Sequence, residues 1–260
     1  MDAFVKEIRG CDFYFKYALG KSELHGEEFH EHDEIVFCLG EGVRLVSKSI
    51  RLDLEPYSMV LIPREHFHHF IFKNEDSYLR CILHYKGQGE LSLLMREVAD
   101  GVKVILTPSE HGKSVFGHLA RCAEHGIGAR DGEALLRSAF TSLLIDEKLF
   151  GKGVARGTSV SDITLKAIDH IDSNYRSPIT LSDIAEAVGT SVSTLSHTFS
   201  RELSVSVYKY VTEKRLSAVR ARLSEGMSLG EAALSCGFPD YSVFYRLYKK
   251  RYGISPSGRQ

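Results

Sequence analysis

The sequence predicts an α+β protein with a β-rich N-terminal domain and an all-helical C-terminal domain. Short β-branched and aromatic runs, separated by Gly, Pro, Asn or Asp, fill residues 10–86, and helical periodicity takes over afterwards. A stretch rich in Gly and polar residues then follows, which is typical of a flexible linker. We therefore expect one domain over residues 1–150, a linker over 151–160 and a second domain over 161–260.

The strands of the first domain are predicted from period and composition. The predicted strands cover residues 34–39, 43–47, 59–62, 68–72 and 78–85. Gly40-Glu41-Gly42 and Lys73-Asn74-Glu75-Asp76 are turn candidates between them. Several short strands at this spacing are typical of a sandwich or barrel.

Two amphipathic helices complete this domain. One apolar face carries Val115, Phe116, Leu119 and Cys122, and another runs from Leu135 to Leu144. These faces exceed what one small barrel face would cover. The sequence therefore predicts that they form the interface of a homodimer, for example through Leu136 and Phe140.

Composition argues against several protein classes. No apolar run is long enough to cross a bilayer, and the first seven residues lack the basic-then-apolar order of a signal peptide. The five cysteines show no CxxC spacing. We expect a cytoplasmic protein with reduced, buried cysteines and no membrane partner.

Charge is distributed unevenly along the chain. Residues 158–260 carry 13 Lys and Arg against 10 Asp and Glu, a balance of +3. The remaining residues carry 33 − 13 = 20 against 34 − 10 = 24, a balance of −4. A basic region of this kind favours contact with nucleic-acid phosphates, although a solvated basic surface would give the same count.

The most specific signal is a repeat in the second domain. The same pattern occurs twice, in residues 179–199 and 228–248. Each copy predicts a short amphipathic helix, a turn with Gly189 or Gly237, and a second amphipathic helix. A helix–turn–helix places its second helix in the major groove of DNA. Two copies joined by a helical segment predict a domain that binds double-stranded DNA at two successive groove segments.

The polar faces of the two recognition helices supply the candidate contacts. The predicted base-reading residues are Ser193, Ser196, His197, Tyr241, Ser242, Tyr245 and Arg246. The predicted phosphate contacts are Thr190, Ser191, Ser200, Lys209, Arg215, Lys249 and Lys250. Arg246 is the strongest single candidate, because a guanidinium pairs bidentately with guanine; an internal ion pair or a phosphate contact is the alternative.

These residues resemble the AraC/XylS family of transcription regulators. The resemblance covers about residues 162 to 259 and is carried by Leu181, Ile184, Ala185, Val188, Leu195, Phe199, Arg215-Leu216, Gly237-Phe238, Asp240, Phe244, Arg246, Lys249-Lys250, Gly253, Ser255-Pro256 and Arg259. Gly230, Ala232, Leu203-Ser204 and Gly258 depart from the family pattern. The resemblance implies a DNA-binding regulator without enzymatic activity, with RNA polymerase as a candidate partner.

The N-terminal domain is similar to cupin barrels in two segments, residues 30–34 and 61–68. On a strand, His30, His32 and Glu34 share one face. The resemblance implies a cavity for a small organic effector of unknown identity, bound by His30, His32, Glu34 and His68. The cupin Glu ligand falls on Val36 or Phe37, and Glu65 occupies a usual Gly position.

Three hypotheses for the function of this domain stay open. In the preferred one, an effector controls DNA binding and no metal or other cofactor is needed. In the second, the barrel only dimerises a constitutive DNA-binding protein. In the third, His30, His32 and His68 hold a metal in a cupin enzyme fused to the DNA-binding helices.

Overall fold

A computed structural model describes residues 3–20, 29–48, 50–74, 76, 78–151 and 157–256. The chain divides into two compact units. The first unit comprises Met1–Gly26 and His32–Ser159, and the second comprises Glu27–Glu31 and Val160–Gln260. Residues 152–156 of the predicted linker, together with Gly258 and Arg259, lie outside the described residues.

The first unit combines strands with three helices. Its strands are β1 (Phe4–Arg9), β2 (Phe13–Leu19), β3 (Asp33–Cys38), β4 (Val43–Ser47), β5 (Arg51–Leu54), β6 (Ser58–Ile62), β7 (His68–Phe72), β8 (Leu79–Tyr85) and β9 (Lys103–Ile105). Its helices are α1 (Glu90–Val98), α2 (Glu110–His125) and α3 (Ala129–Phe150).

The strands form two antiparallel sheets. One has the order β1-β2-β8-β3-β6-β9 and the other β5-β4-β7. Within the described ranges, no ladder joins the two sheets, so the predicted barrel is open. The α+β class is confirmed.

Strand β3 is buried on both faces because it lies in the middle of three layers. Its residues alternate with period 2. Ile35 and Phe37 pack towards the helices, whereas Val36 and Cys38 pack in the core shared with the smaller sheet. Glu34 therefore points between the sheets, in line with Val36.

Helices α2 and α3 cover the larger sheet. Phe116 and Leu136 are 1% and 0% exposed, and the ring of Phe116 stacks on Phe37 with centroids 4.6 Å apart. Phe140 is also fully buried, and its ring centroid lies 5.7 Å from that of Phe13. The expectation that these stripes form a homodimer interface is wrong, because a six-stranded sheet offers a wider face than the small barrel wall assumed from the sequence.

The second unit is helical in its described part. Its helices are α4 (Asp162–Asn174), α5 (Leu181–Ala187), α6 (Val192–Leu203), α7 (Val207–Ser224), α8 (Leu229–Ser235) and α9 (Tyr241–Tyr252). Helix α7 separates the two helix–turn–helix motifs and buries Tyr210, Leu216 and Val219. None of the helices in the described part of the chain is long and apolar enough to cross a membrane.

Side-chain caps fix where these helices begin. The Thr180 hydroxyl accepts from the Asp183 N–H while the Asp183 carboxylate accepts from the Thr180 N–H, which confirms the predicted capping box. At α8 the Ser228 hydroxyl accepts from the Glu231 N–H at 3.5 Å and donates to the Glu231 carboxylate at 2.5 Å. Each capped start orients its motif, because the first turn leaves backbone N–H groups that need an acceptor.

Candidate nucleic-acid interface and sensor cluster

The first motif comprises α5, a turn at Gly189 and α6. Gly189 has φ +70°, the left-handed conformation that a tight turn needs. Leu195 and Phe199 are fully buried, while Ser193 and His197 on the other face of α6 are exposed. The helix therefore separates an apolar anchor from a hydrogen-bonding face.

The remaining candidates on this motif have more local roles. Ser191 caps α6, since its hydroxyl accepts from the Thr194 N–H at 3.1 Å. Thr190 is half-buried in the turn, with its N–H donating to the Ala185 carbonyl. Ser196 and Ser200 are half-buried. All four lie at or beside the exposed face of α6.

The second motif comprises α8, a turn at Gly237 and α9. Gly237 has φ +86°, and a Cβ there would lie 2.6 Å from the Tyr175 carbonyl oxygen. Only glycine fits this close approach of two backbones. The turn is thereby held against the loop that precedes α5, so the two motifs share a contact.

Helix α9 presents the more strongly hydrogen-bonding face. Phe244 and Tyr248 are buried, and the opposite face exposes Tyr241, Ser242 and Arg246, with Tyr245 half-buried. Asp240 caps the helix by accepting from the Val243 N–H at 2.9 Å. Lys249 and Lys250 are exposed in the last turn.

Arg246 differs from its neighbour Arg251 in its partners. Arg251 donates to the Glu213 carboxylate at 2.6 Å. Arg246 is exposed and makes no ion pair with any residue that the structure describes. The internal ion pair considered as an alternative is therefore absent from this part of the chain, and the Arg246 guanidinium is available to an external acceptor.

The basic residues predicted at phosphates have different surroundings. Lys209 is exposed in the first turn of α7. Arg215 is half-buried, and its guanidinium donates to the carbonyls of Tyr175 at 2.6 Å and Ser177 at 2.9 Å. Desolvation lowers the pKa of Arg215. Arg215 thus holds the loop before α5, a partner 40 residues away that no sequence spacing indicates.

In the first unit, a polar group of side chains lies at one end of the space between the sheets. We call Glu34, Ser47, His68, His84 and His32 the sensor cluster. Glu34 lies on β3, which begins directly after His32, and His84 lies on the neighbouring strand β8. Ser47 and His68 lie on β4 and β7 of the smaller sheet. His84 lies directly opposite Glu34 in the ladder, a pairing that period-2 alternation alone does not reveal.

Glu34 is the centre of this cluster. Its side chain is 3% exposed; Oε1 accepts from His84 Nε2 at 3.1 Å, and Oε2 lies 3.3 Å from His68 Nε2. The ring of His32 packs on that of His84 with centroids 4.1 Å apart. Within the first unit, the structure therefore brings the predicted residues Glu34, His68 and His32 together and adds His84.

The tautomer of His68 follows from its other hydrogen bond. His68 Nδ1 lies 3.2 Å from the His66 carbonyl oxygen, which only an N–H can satisfy. Nε2 then carries a proton only in the imidazolium form. The contact with Glu34 is consequently an ion pair when His68 is protonated and needs rearrangement when it is not.

Ser47 gives the cluster an unused hydrogen-bonding group. It pairs with His68 across β4 and β7 and is fully buried. Its Oγ has no hydrogen-bond partner among the residues that the structure describes. A buried hydroxyl without a partner is costly, so a bound polar group would stabilise this position.

Further positions of the cupin-like segments have their own surroundings. His30 belongs to the segment Glu27–Glu31, which groups with the second unit. Val36 lies in the apolar core between the sheets, and Phe37 turns to the helices, so neither position replaces the cupin Glu. Glu65 has φ +65°, which explains why a glycine is usual there.

An ion pair anchors the start of β3 beside Glu34. Asp33 is buried, and its carboxylate accepts from Arg64 Nη2 at 2.8 Å and from the Ser92 hydroxyl. Arg64 also donates to the Gly87 carbonyl at 2.6 Å. These bonds join the loop after β6 and helix α1 to β3, and they fix the residue next to Glu34.

Comparison with known proteins identifies the helical unit. A model described as a helix-turn-helix domain matches residues 184–258. The melibiose operon regulatory protein of Escherichia coli K12 is 34% identical over 87 residues, 33% of this chain and 29% of its own length. The xylose operon regulatory protein of the same strain is 28% identical over 159 residues, 59% of this chain and 39% of its own length.

The chain thus spans about a third of the length of these curated relatives. Among solved structures, ToxT from Vibrio cholerae O395 is 13% identical, with a TM-score of 0.43, over 98% of this chain and 95% of that one.

Proposed function

We propose that this chain is a sequence-specific DNA-binding transcription regulator of the AraC/XylS family, because a helix-turn-helix domain model matches residues 184–258 and regulatory proteins of E. coli are similar to this region. The main support for this proposal is that α6 and α9 each bury an apolar stripe and expose a polar face as the second helix of a helix–turn–helix. This is the arrangement by which recognition helices reach base edges in the major groove.

In this proposal the two motifs contribute unequally to sequence recognition. Helix α9 offers Arg246, Ser242 and Tyr241 to base edges and Lys249 and Lys250 to phosphates. Helix α6 offers small hydroxyls and His197, which support weaker or water-mediated contacts. Specificity therefore rests mainly on the base pairs under α9, while α6 contributes position and register.

The test is a selection of duplexes from a random library by the full-length protein, followed by fluorescence anisotropy on the enriched sequence. We expect the enriched duplex to bind at least 10³-fold more tightly than random duplex at physiological salt. Raising the salt concentration should weaken both, because phosphate contacts release counterions. Enrichment of no sequence, with equal affinity for all duplexes, would contradict sequence-specific recognition.

We propose further that the sensor cluster binds a small polar organic effector. A buried carboxylate, two imidazoles beside it and an unsatisfied hydroxyl are a few placed polar groups against apolar walls, which is typical of small-molecule sites. The effector changes DNA affinity only by as much as it prefers one arrangement of the protein over another. A metal is not required for this chemistry.

A thermal-shift screen of the full-length chain against sugars, small acids, aromatic compounds and metal ions tests the effector. The hit should lose its stabilising effect in Glu34→Gln and keep it in Glu41→Gln, an exposed carboxylate in the β3–β4 turn. If only a transition metal stabilises the chain, and His68→Ala abolishes this effect, the result would favour a metal-binding cupin enzyme instead. No hit, with unchanged DNA binding, would favour the constitutive regulator.

A homodimer and a contact with RNA polymerase remain part of the proposal. A dimer would bind paired half-sites on DNA. Its interface has to use surfaces other than the buried stripes of α2 and α3. Sedimentation of the full-length chain at micromolar concentration, with and without the selected duplex, measures the association.

A further inference from the structure

The second unit contains a cavity between its two helix–turn–helix motifs. Its volume is about 190 Å³. The cavity is lined by helix α5 of the first motif, by the connecting helix α7, and by the turn and helix α9 of the second motif. The lining residues that matter most are Ile184, Val211, Arg215, Phe238, Val243 and Leu247.

The walls of this cavity are mainly apolar. Ile184, Phe238 and Val211 are buried, and Val243 and Leu247 are half-buried on the side of α9 that faces α7. The two threonines at its edge already use their hydroxyls: Thr180 accepts from the Asp183 N–H, and Thr212 donates to the Tyr208 carbonyl. Neither threonine is therefore the main recognition group for an occupant.

Arg215 is the charged group of the cavity. Its guanidinium has five N–H donors, and two of them bind the carbonyls of Tyr175 and Ser177. No carboxylate of the described chain pairs with Arg215, and desolvation lowers its pKa. A half-buried cation without a counter-ion beside apolar walls is complementary to an anionic head on an apolar body.

We propose that this cavity binds a small amphipathic carboxylate, with its apolar body against Val211, Val243 and Ile184 and its carboxylate on Arg215. The volume is below the roughly 300–1,000 Å³ of sites for drug-sized ligands, so the occupant is correspondingly small. A DNA phosphate fits the cation but has no apolar body for these walls. The nearby carboxylates of Asp183 and Asp240 accept backbone N–H groups as helix caps and do not line the cavity.

The position of the cavity gives the ligand a consequence. An occupant touches α5 through Ile184, the connecting helix through Val211 and the recognition helix α9 through Val243. It therefore acts on the spacing of the two motifs, which, if the proposed DNA binding holds, sets how well both fit successive groove segments. This site is separate in residues and in ligand chemistry from the sensor cluster of the first unit.

The binding test uses the full-length chain with methyl-labelled Ile, Leu and Val side chains and three probes of equal length: octanoate, 1-octanol and octylamine. Octanoate should give saturable NMR shifts at the methyl groups of Ile184, Val211, Val243 and Leu247. Octanol should bind at least tenfold more weakly, because it lacks the charge-assisted hydrogen bonds to Arg215. Octylamine should give no saturable shift at these methyl groups.

Two variants place the site. Val243→Phe fills the cavity and should abolish the octanoate titration measured by calorimetry. Val192→Phe is its matched control, since Val192 is a partly exposed valine at the start of α6 that does not line the cavity. If Val243→Phe does not fold, judged by circular dichroism, the methyl shifts of the unaltered chain decide alone.

The outcomes that overturn the proposal are specific. Equal affinity for octanoate and octanol would show that Arg215 does not recognise the ligand. Absence of shifts at the cavity methyls, with a DNA-dependent shift of the Arg215 Nε–H resonance, would show a phosphate contact instead. Because ligand binding is measured without DNA, its failure leaves the proposed DNA binding untouched. Loss of DNA binding in turn leaves the ligand site standing.

Discussion

Replacing Arg246 by alanine separates base reading from structural stability. The Arg246 side chain is exposed and unpaired with any described residue, so its removal leaves no buried group without a partner. The free energy of unfolding should therefore change by no more than about 0.5 kcal/mol. If the guanidinium pairs with a guanine, Arg246→Ala should cost about 1–3 kcal/mol of binding, or about 5- to 150-fold in Kd.

The matched control lies one and a half turns further along α9. Arg251→Ala removes the ion pair with Glu213, whose side chain is 9% exposed. It should lower the free energy of unfolding by about 1–3 kcal/mol. Its effect on DNA binding should follow from stability alone and should be equal for all sequences.

The assay is fluorescence anisotropy on the selected duplex, on a single-base variant series and on random duplex, with urea unfolding of each protein. Arg246→Ala should flatten the preference at one base pair and leave random-duplex binding nearly unchanged. Equal losses on every duplex would assign Arg246 to a phosphate and refute the base-reading argument. A large loss of stability would show an internal role that its exposure does not predict.

Three further predictions concern the first unit. Phe140→Ala should destabilise the chain by about 3–5 kcal/mol, whereas Leu149→Ala, on the exposed end of α3, should change stability by less than about 0.5 kcal/mol; hydrogen exchange of α3 peptides measures both. Arg64→Met breaks a buried ion pair and should cost about 3–5 kcal/mol in the same measurement, against at most about 1 kcal/mol for the exposed pair lost in Arg44→Met. Burial raises the pKa of Cys81 from 9.0 to about 12, so its thiolate fraction at pH 8 is about a thousandfold below that of an ordinary thiol; iodoacetamide should leave Cys81 unlabelled at pH 8 in the folded chain and label it in urea.

The helical unit could be predicted from the sequence because its signals are local. A cap, a stripe of period 3.6 and a turn glycine each lie within one motif, and Thr180, Gly189 and Phe199 all have the conformation or burial expected of them. The first unit depends on contacts between distant strands. Period 2 places Glu34 on a face, but only the ladder pairing puts His84 opposite it.

Other features of the structure could not be predicted from the spacing of residues in the sequence, for the same reason. The stripes of α2 and α3 have the composition of an interface, and composition does not distinguish a partner from the chain's own sheet. The six-stranded sheet that buries Phe140 is assembled from strands as far apart as β1 and β9. The two carbonyls that hold Arg215 come from a loop 38 to 40 residues earlier.

That loop connects the two helix–turn–helix motifs. Arg215 from the connecting helix and Gly237 from the second turn both contact the backbone of residues 175–177, just before the first motif. The approach at Gly237 allows no Cβ, and the guanidinium of Arg215 satisfies carbonyls that the loop does not use itself. These contacts tie α7 and the turn before α9 to the loop before α5 at one point. If α9 supplies the main base-reading group, as we propose, this shared contact makes the position of α6 a constraint on the register of binding.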